Sequence, residues 1–267
     1  MLMVNMDWIH RNRYGVPILG QQQLDDLGEA IIADFCPEAL MVPQEINIDL
    51  LSEQYLGLTV DYQYLSHCGV YLGMMVFKDT KAIPAYCPET GRAEYVSAAA
   101  NTVIIDRTLL DENQEHRYRF TMAHEAAGHA FLHRSYYTSP LCSMTQLAGD
   151  DSWVLCRREL NDAVRGSTKN WGPIDWMEWQ ANSMAAAVLM PKRCVVKVIR
   201  KCWNSLKQLN IPPTAYSWVE ADRVHEVFNV SFQAAVVRLK KLGFIPPDEN
   251  VDPHDWEWIT EPVQQEA

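Results

Sequence analysis

Apolar residues recur at helical spacing from Gln21 to Phe35, where Leu24, Leu27, Ile31 and Ile32 share one side, and a second short helix is predicted over residues 48–55. The pattern then changes. Short β-rich runs at residues 58–62, 70–77, 82–86 and 102–105 alternate with turn residues such as Asp79 and Pro88-Glu89-Thr90-Gly91, which predicts a small, mostly antiparallel sheet. Helical periodicity returns over residues 117–133, 175–190 and 216–242, with Pro191 and Gly243 as two of the stops. The order α, then β, then α reads as an α+β fold with a C-terminal helical region. Residues 134–173, rich in Ser, Thr, Gly, Asp and Asn, are too long for an ordinary connection and read as an elaborated loop. The expected organisation is an N-terminal extension (1–20), a main domain (21–247, whose C-terminal helical part is 201–247) and an acidic tail (248–267). That tail lacks Lys and Arg but carries Trp256, Trp258 and Ile259 with which to dock.

Composition narrows the class. At 267 residues and 48% hydrophobic, the chain is long enough to bury a sizeable core without a disulfide or metal staple. A formal net charge of -11 repels phosphate backbones, so nucleic acid is set aside as a direct partner. No apolar run reaches the length of a membrane span, and no apolar stretch follows a basic start, so neither a membrane helix nor a signal peptide is expected. The seven cysteines are scattered and never form CxxC, which argues against a disulfide framework and for a cytoplasmic protein.

The segment with the most chemistry is Arg119-Phe120-Thr121-Met122-Ala123-His124-Glu125-Ala126-Ala127-Gly128-His129-Ala130-Phe131-Leu132-His133. Zinc needs imidazoles converging at about 2.1 Å on one point, and a helix supplies that when two histidines lie one turn apart. The Glu beside the first His then projects elsewhere, free to take a proton from water. The alternative is a polar helix face with satisfied histidines. A second segment, residues 178–191, begins with Glu178 and carries Ala181 and Ala185, small residues that would let two helices approach until Glu178 reaches a metal held by the first. Asp175 and Glu178 also have the spacing of a capping box, which would engage the Glu with backbone instead.

These segments resemble motifs of the ImmA/IrrE metallo-endopeptidases: RFTxAHExGHxxLH, then ExxANxFAAxLLMP, then VSxxAxxxRLxxLG, matched here in order at residues 119–133, 178–191 and 230–243. Residues 46–57 also resemble the family's entry helix, and the resemblance covers roughly residues 21–247. It implies a zincin-like metallopeptidase domain with a zinc-binding helix pair. His124, His129 and Glu178 would be the Zn2+ ligands and Glu125 the general base. Asn182, one turn after Glu178 and within the matched motif, is expected to anchor backbone or a ligand from behind. Tyr136, Tyr137 and His225 are candidate donors to an oxyanion, and residues 102–105 are the expected edge strand for an extended peptide. The implied substrate is a protein, a helix-turn-helix repressor, cut in a regulatory manner. The competing reading is a non-cutting protease-like interaction module in a toxin-antitoxin or phage-regulation system. Arg238, Lys240 and Lys241 on the 230–243 helix suit either DNA recognition or, as the acidic chain favours, a packing helix that closes the domain.

One departure from that family matters. Here the motif is His-Glu-Ala-Ala-Gly-His, one residue longer than HExxH, and it resembles the HExxGH pattern of the dipeptidyl peptidase III family. On a regular helix, five residues advance about 500°, so the two rings would point about 140° apart and could not share an ion. A π-type turn near residues 126–128 would absorb the extra residue. The rival is a regular helix that aligns Glu125, His129 and His133 on one face.

Overall fold

The helix expected at the start forms over Gln21–Phe35 (α1) and buries Leu24, Leu27, Gly28, Ile31 and Ile32. Gln23 closes its first turn by accepting from the Gly20 backbone N–H at 2.9 Å. In this computed structural model, which describes residues 4–139, 153–157, 171–209 and 212–255, two short helices follow. They are α2 (Pro37–Met41) and α3 (Ile48–Leu50), the latter running into a π turn at Leu51–Tyr55.

Six strands come next: β1 (Thr59–Gln63), β2 (Tyr71–Val76), β3 (Thr80–Cys87), β4 (Arg92–Ala98), β5 (Thr102–Asp106) and, from within the elaborated loop, β6 (Trp153–Arg157). Four of them form one sheet in the order β1-β5-β2-β6, and β3 and β4 form a separate hairpin. The β1–β5 pairing is parallel and the others are antiparallel, so the sheet is mixed. Alternation along the strands splits their side chains between two layers. Val103, Ile105 and Met75 join the helical core, whereas Ile104, Met74 and Val76 pack with Ile83 of the hairpin and with Leu65.

This topology corrects one expectation. Residues 102–105 are not an edge strand, because β5 pairs with β1 on one side and β2 on the other. Both ladders are taken, so no peptide can add there. The reason is legible in Val103-Ile104-Ile105, an unbroken apolar run of the kind that covers both faces of an interior strand.

The helical half begins with a 3-10 turn at Arg107–Leu110 and then α4 (Glu115–Ala123), which continues as a π-helix over His124–His133 and ends in α5 (Arg134–Tyr137). Helices α6 (Pro173–Leu189), α7 (Lys192–Leu209), α8 (Tyr216–Phe228) and α9 (Phe232–Leu242) complete the described chain. Helix α7 carries the helical part expected from residue 201 back to Lys192, and Cys194, Val195, Val198, Ile199, Cys202 and Leu206 are buried at helical spacing along it. The long periodic stretch 216–242 is two helices. Asn229, left-handed at φ 50°, ends α8, and the Ser231 hydroxyl accepts from the Ala234 N–H at 3.1 Å to start α9.

Two buried arginines from the matched motifs serve this packing. Arg119 donates to the carbonyls of Asn229 and Ile46, at 2.9 and 3.1 Å, and so ties α4 to the end of α8. Arg238, fully buried, pairs with Asp25 of α1 at 2.5 Å and donates twice to the Met190 carbonyl. Helix α9 therefore closes the domain with the very cation that groove reading would need exposed. Among the described residues no helix is long and apolar enough to cross a membrane. Most of residues 134–173, and Trp256, Trp258 and Ile259 of the acidic tail, lie outside the described residues.

Candidate metal centre

The extra residue of the histidine motif is absorbed by backbone. The whole stretch His124–His133 is π-helical, ten residues long, a wider distortion than the single turn expected near residues 126–128. With i to i+5 bonding the turn closes on the fifth residue, so His124 and His129 lie on one side instead of diverging. Helix α6 comes in against this side at Gly128. A Cβ built there would lie 2.5 Å from the Ala181 Cβ and 2.6 Å from its Cα, so the two backbones meet where both residues are small. That approach delivers Glu178, one turn before Ala181. Helix α6 starts at Pro173 and its capping carboxylate is Asp175, which accepts from the Gly172 N–H at 2.9 Å. Glu178 is thereby left out of the cap.

Three ligand atoms converge. His124 Nε2 and His129 Nε2 are 3.1 Å apart, and the Glu178 oxygens lie 3.5 Å from the first and 3.4 Å from the second. Two ligands at about 2.05 Å from a tetrahedral zinc are separated by about 3.3 Å, so all three gaps fit one ion. Among the described residues this is the one group of three His, Cys, Asp or Glu side chains arranged to hold a metal. Glu178 Oε2 is buried with no hydrogen-bond partner, an arrangement costly in a protein core unless a cation takes its lone pairs.

The electrostatics agree with a ligand set. Burial pushes the Glu178 carboxyl up, but the His124 and His129 side chains outweigh it and hold the group well below the usual carboxylate range. Burial lowers His129 from its ordinary value, which keeps the imidazole neutral, the form that ligates. Glu125 is different. Fully buried, it is pushed up to about 8 by burial, opposed by His124 and reinforced by Glu178, and neither of its oxygens has a hydrogen-bond partner. Strand β2 lies directly over it: a Cβ on Gly73 would sit 2.7 Å from Thr121 Cγ2 and 3.0 Å from Glu125 Cγ and Oε1. Gly73→Ala is expected to displace the Glu125 side chain while leaving His124, His129 and Glu178 in place, because the added methyl meets only Thr121 and Glu125. A crystal structure with Glu125 in its present place, or with the three residues dispersed, would contradict this.

Behind the ligands, His124 Nδ1 meets Asn182 Oδ1 at 3.0 Å, which places the motif asparagine against the first histidine. His133 does not join the ligand set. Its Nδ1 lies 3.2 Å from His129 Nδ1 and its Nε2 lies 3.0 Å from Gln180 Oε1. The Tyr137 ring packs edge-on to His129 with centres 6.1 Å apart and stacks on Phe77, and Tyr136 packs edge-on to Tyr137. His225 is engaged elsewhere, with Nδ1 2.5 Å from the Val230 carbonyl and its ring edge-on to His116. Gln180 and Pro17 went unnoticed in the sequence. A glutamine on another helix and a carbonyl from the N-terminal extension carry no spacing that links them to the histidines. Comparison with family models, with curated proteins and with solved structures finds no match to this chain.

Proposed function

We propose that the protein is a zinc-dependent endopeptidase of regulatory type. The observation that carries this reading is the convergence of His124, His129 and Glu178 at ion-binding separations with a second, unpartnered carboxyl, Glu125, beside His124. His124, His129 and Glu178 would hold a zinc, which would supply a Lewis acid for a peptide carbonyl and make a bound water more acidic. The rest falls to the chain. Glu125 would take the proton from the attacking water and return it to the leaving amine, a role open to a carboxyl beside His124 whose two oxygens have no hydrogen-bond partner. Asn182 holds the His124 ring, and the Gly128–Ala181 contact keeps Glu178 in range. The substrate implied by the motifs is a helix-turn-helix repressor.

A second reading, a non-cutting module that keeps the fold with or without the metal, is favoured by the burial of the whole cluster: Glu125 and His129 are 0% exposed, His124 1% and Glu178 3%. Such closure leaves a substrate little approach. One experiment separates the two. Full-length protein from metal-replete expression is assayed for zinc and incubated with a candidate repressor, alongside Glu125→Gln and Glu178→Ala. The endopeptidase reading expects about one zinc per chain, with Glu125→Gln retaining it but cutting about a thousandfold more slowly, and Glu178→Ala losing both. Zinc without cleavage favours the module, and absence of zinc from the wild type ends the endopeptidase reading.

A further inference from the structure

His129 carries a chain of contacts that runs away from the ligand cluster to a backbone carbonyl. The Gln180 amide Nε2 donates to Pro17 O at 2.7 Å. The amide cannot be flipped without setting its oxygen against that carbonyl, so Gln180 presents Oε1, an acceptor, to His133 Nε2 at 3.0 Å. A proton must lie on His133 Nε2. The ring is fully buried and its two nitrogens face only the Gln180 amide and the His129 ring, with no carboxylate to pair a second proton, so it carries that one proton and its Nδ1 is a lone pair. Nδ1 faces His129 Nδ1 at 3.2 Å and must accept from it. His129 is then an Nδ1–H tautomer whose Nε2 lone pair points at His124 and Glu178.

We propose that His133 and Gln180 are positioning residues that set the tautomer and ring orientation of His129, with the Pro17 carbonyl as the fixed end of the relay. The order of protons is decided by hydrogen-bond direction and not by any change in charge. On the other ligand Asn182 Oδ1 meets His124 Nδ1 at 3.0 Å, and His124 Nε2 lies 3.1 Å from His129 Nε2, within reach of its lone pair. His129 Nε2 is therefore held as an acceptor, ready for a cation, before one arrives. The residue four positions after His129, at ligand spacing in the sequence, is used to aim a ligand. The inference rests on the metal reading for its purpose but not for its geometry.

Long-range proton–nitrogen NMR on metal-stripped, histidine-labelled full-length protein reads which ring nitrogen carries the proton. His133 is expected as the Nε2–H form and His129 as the Nδ1–H form, and the reverse pair overturns the proposal whether or not zinc binds. Zinc affinity by chelator competition supplies the second measurement. His133→Phe is expected to weaken zinc binding about 10- to 100-fold. His133→Asn, whose amide oxygen can replace the Nδ1 acceptor, should recover most of that loss. Gln180→Leu, which leaves the His133 ring free to exchange tautomers, should also weaken binding. Phenylalanine binding zinc better than asparagine would mean that the site only needs to be filled, and the proposal would fall. If the wild type binds no zinc while the tautomers are as expected, the metal reading fails and the relay stands.

Discussion

Gly128→Ala is expected to destabilise the protein by about 3 kcal/mol and to weaken zinc binding with it, because the new methyl has no space and the obstacle is backbone. At 2.5 Å from the Ala181 Cβ and 2.6 Å from its Cα, the added carbon sits well inside van der Waals contact, and neither atom can rotate away. Relief requires α6 to move off the π-helix, and α6 carries Glu178, so the ligand triangle opens as the helices part. The variant Ala181→Gly combined with Gly128→Ala removes one of the two clashes and should recover only part of the stability, since the Ala181 Cα remains. Thermal unfolding of the metal-free proteins measures the first effect and chelator competition the second. Wild-type values in Gly128→Ala for both would show that the helix contact does not hold the site together.

Arg238→Met should cost about 3–5 kcal/mol, the range for breaking a buried ion pair by removing one partner. The guanidinium of Arg238 is fully buried and donates to Asp25 and twice to the Met190 carbonyl, at the junction of α9, α1 and the end of α6. Truncation leaves a carboxylate that is only 3% exposed without its counter-charge. The added change Asp25→Leu removes that stranded charge and should restore most of the loss, because the large penalty belongs to the unpaired ion and not to the pair itself. Denaturant midpoints of the single and double variants decide it. If both single and double variants lose equally, the cost lies in packing alone.

Much of the helical frame was legible because amphipathic helices advertise themselves. Leu24, Leu27, Ile31 and Ile32 placed α1, Pro191 and Gly243 marked real stops, and α4 and α6 arrived close to where the periodicity put them. The candidate site residues were also readable, since His124, Glu125 and His129 lie within one six-residue motif and Glu178 heads a second. The strands were less so. Residues 58–62 and 102–105 are strands, but nothing local says that they pair in parallel, and β6 rises from a stretch whose polar composition reads as loop.

What the sequence determined by itself was the identity of the candidate ligands and the spacing problem they pose: five residues from His124 to His129 demand a distorted helix if both are to face one ion. What only the tertiary structure decided was how that demand is met and what surrounds it. The π-helix is held against α6 by a Gly128–Ala181 contact, Asp175 and not Glu178 caps α6, and β5 is walled in between β1 and β2. The tautomer of His129 depends on a carbonyl from residue 17 acting through Gln180 and His133. The physical reason is range. Helical periodicity and caps act over a few residues and are written in the local sequence, whereas strand partners, helix separation and proton positions are set by atoms far apart in the chain that meet only when it folds.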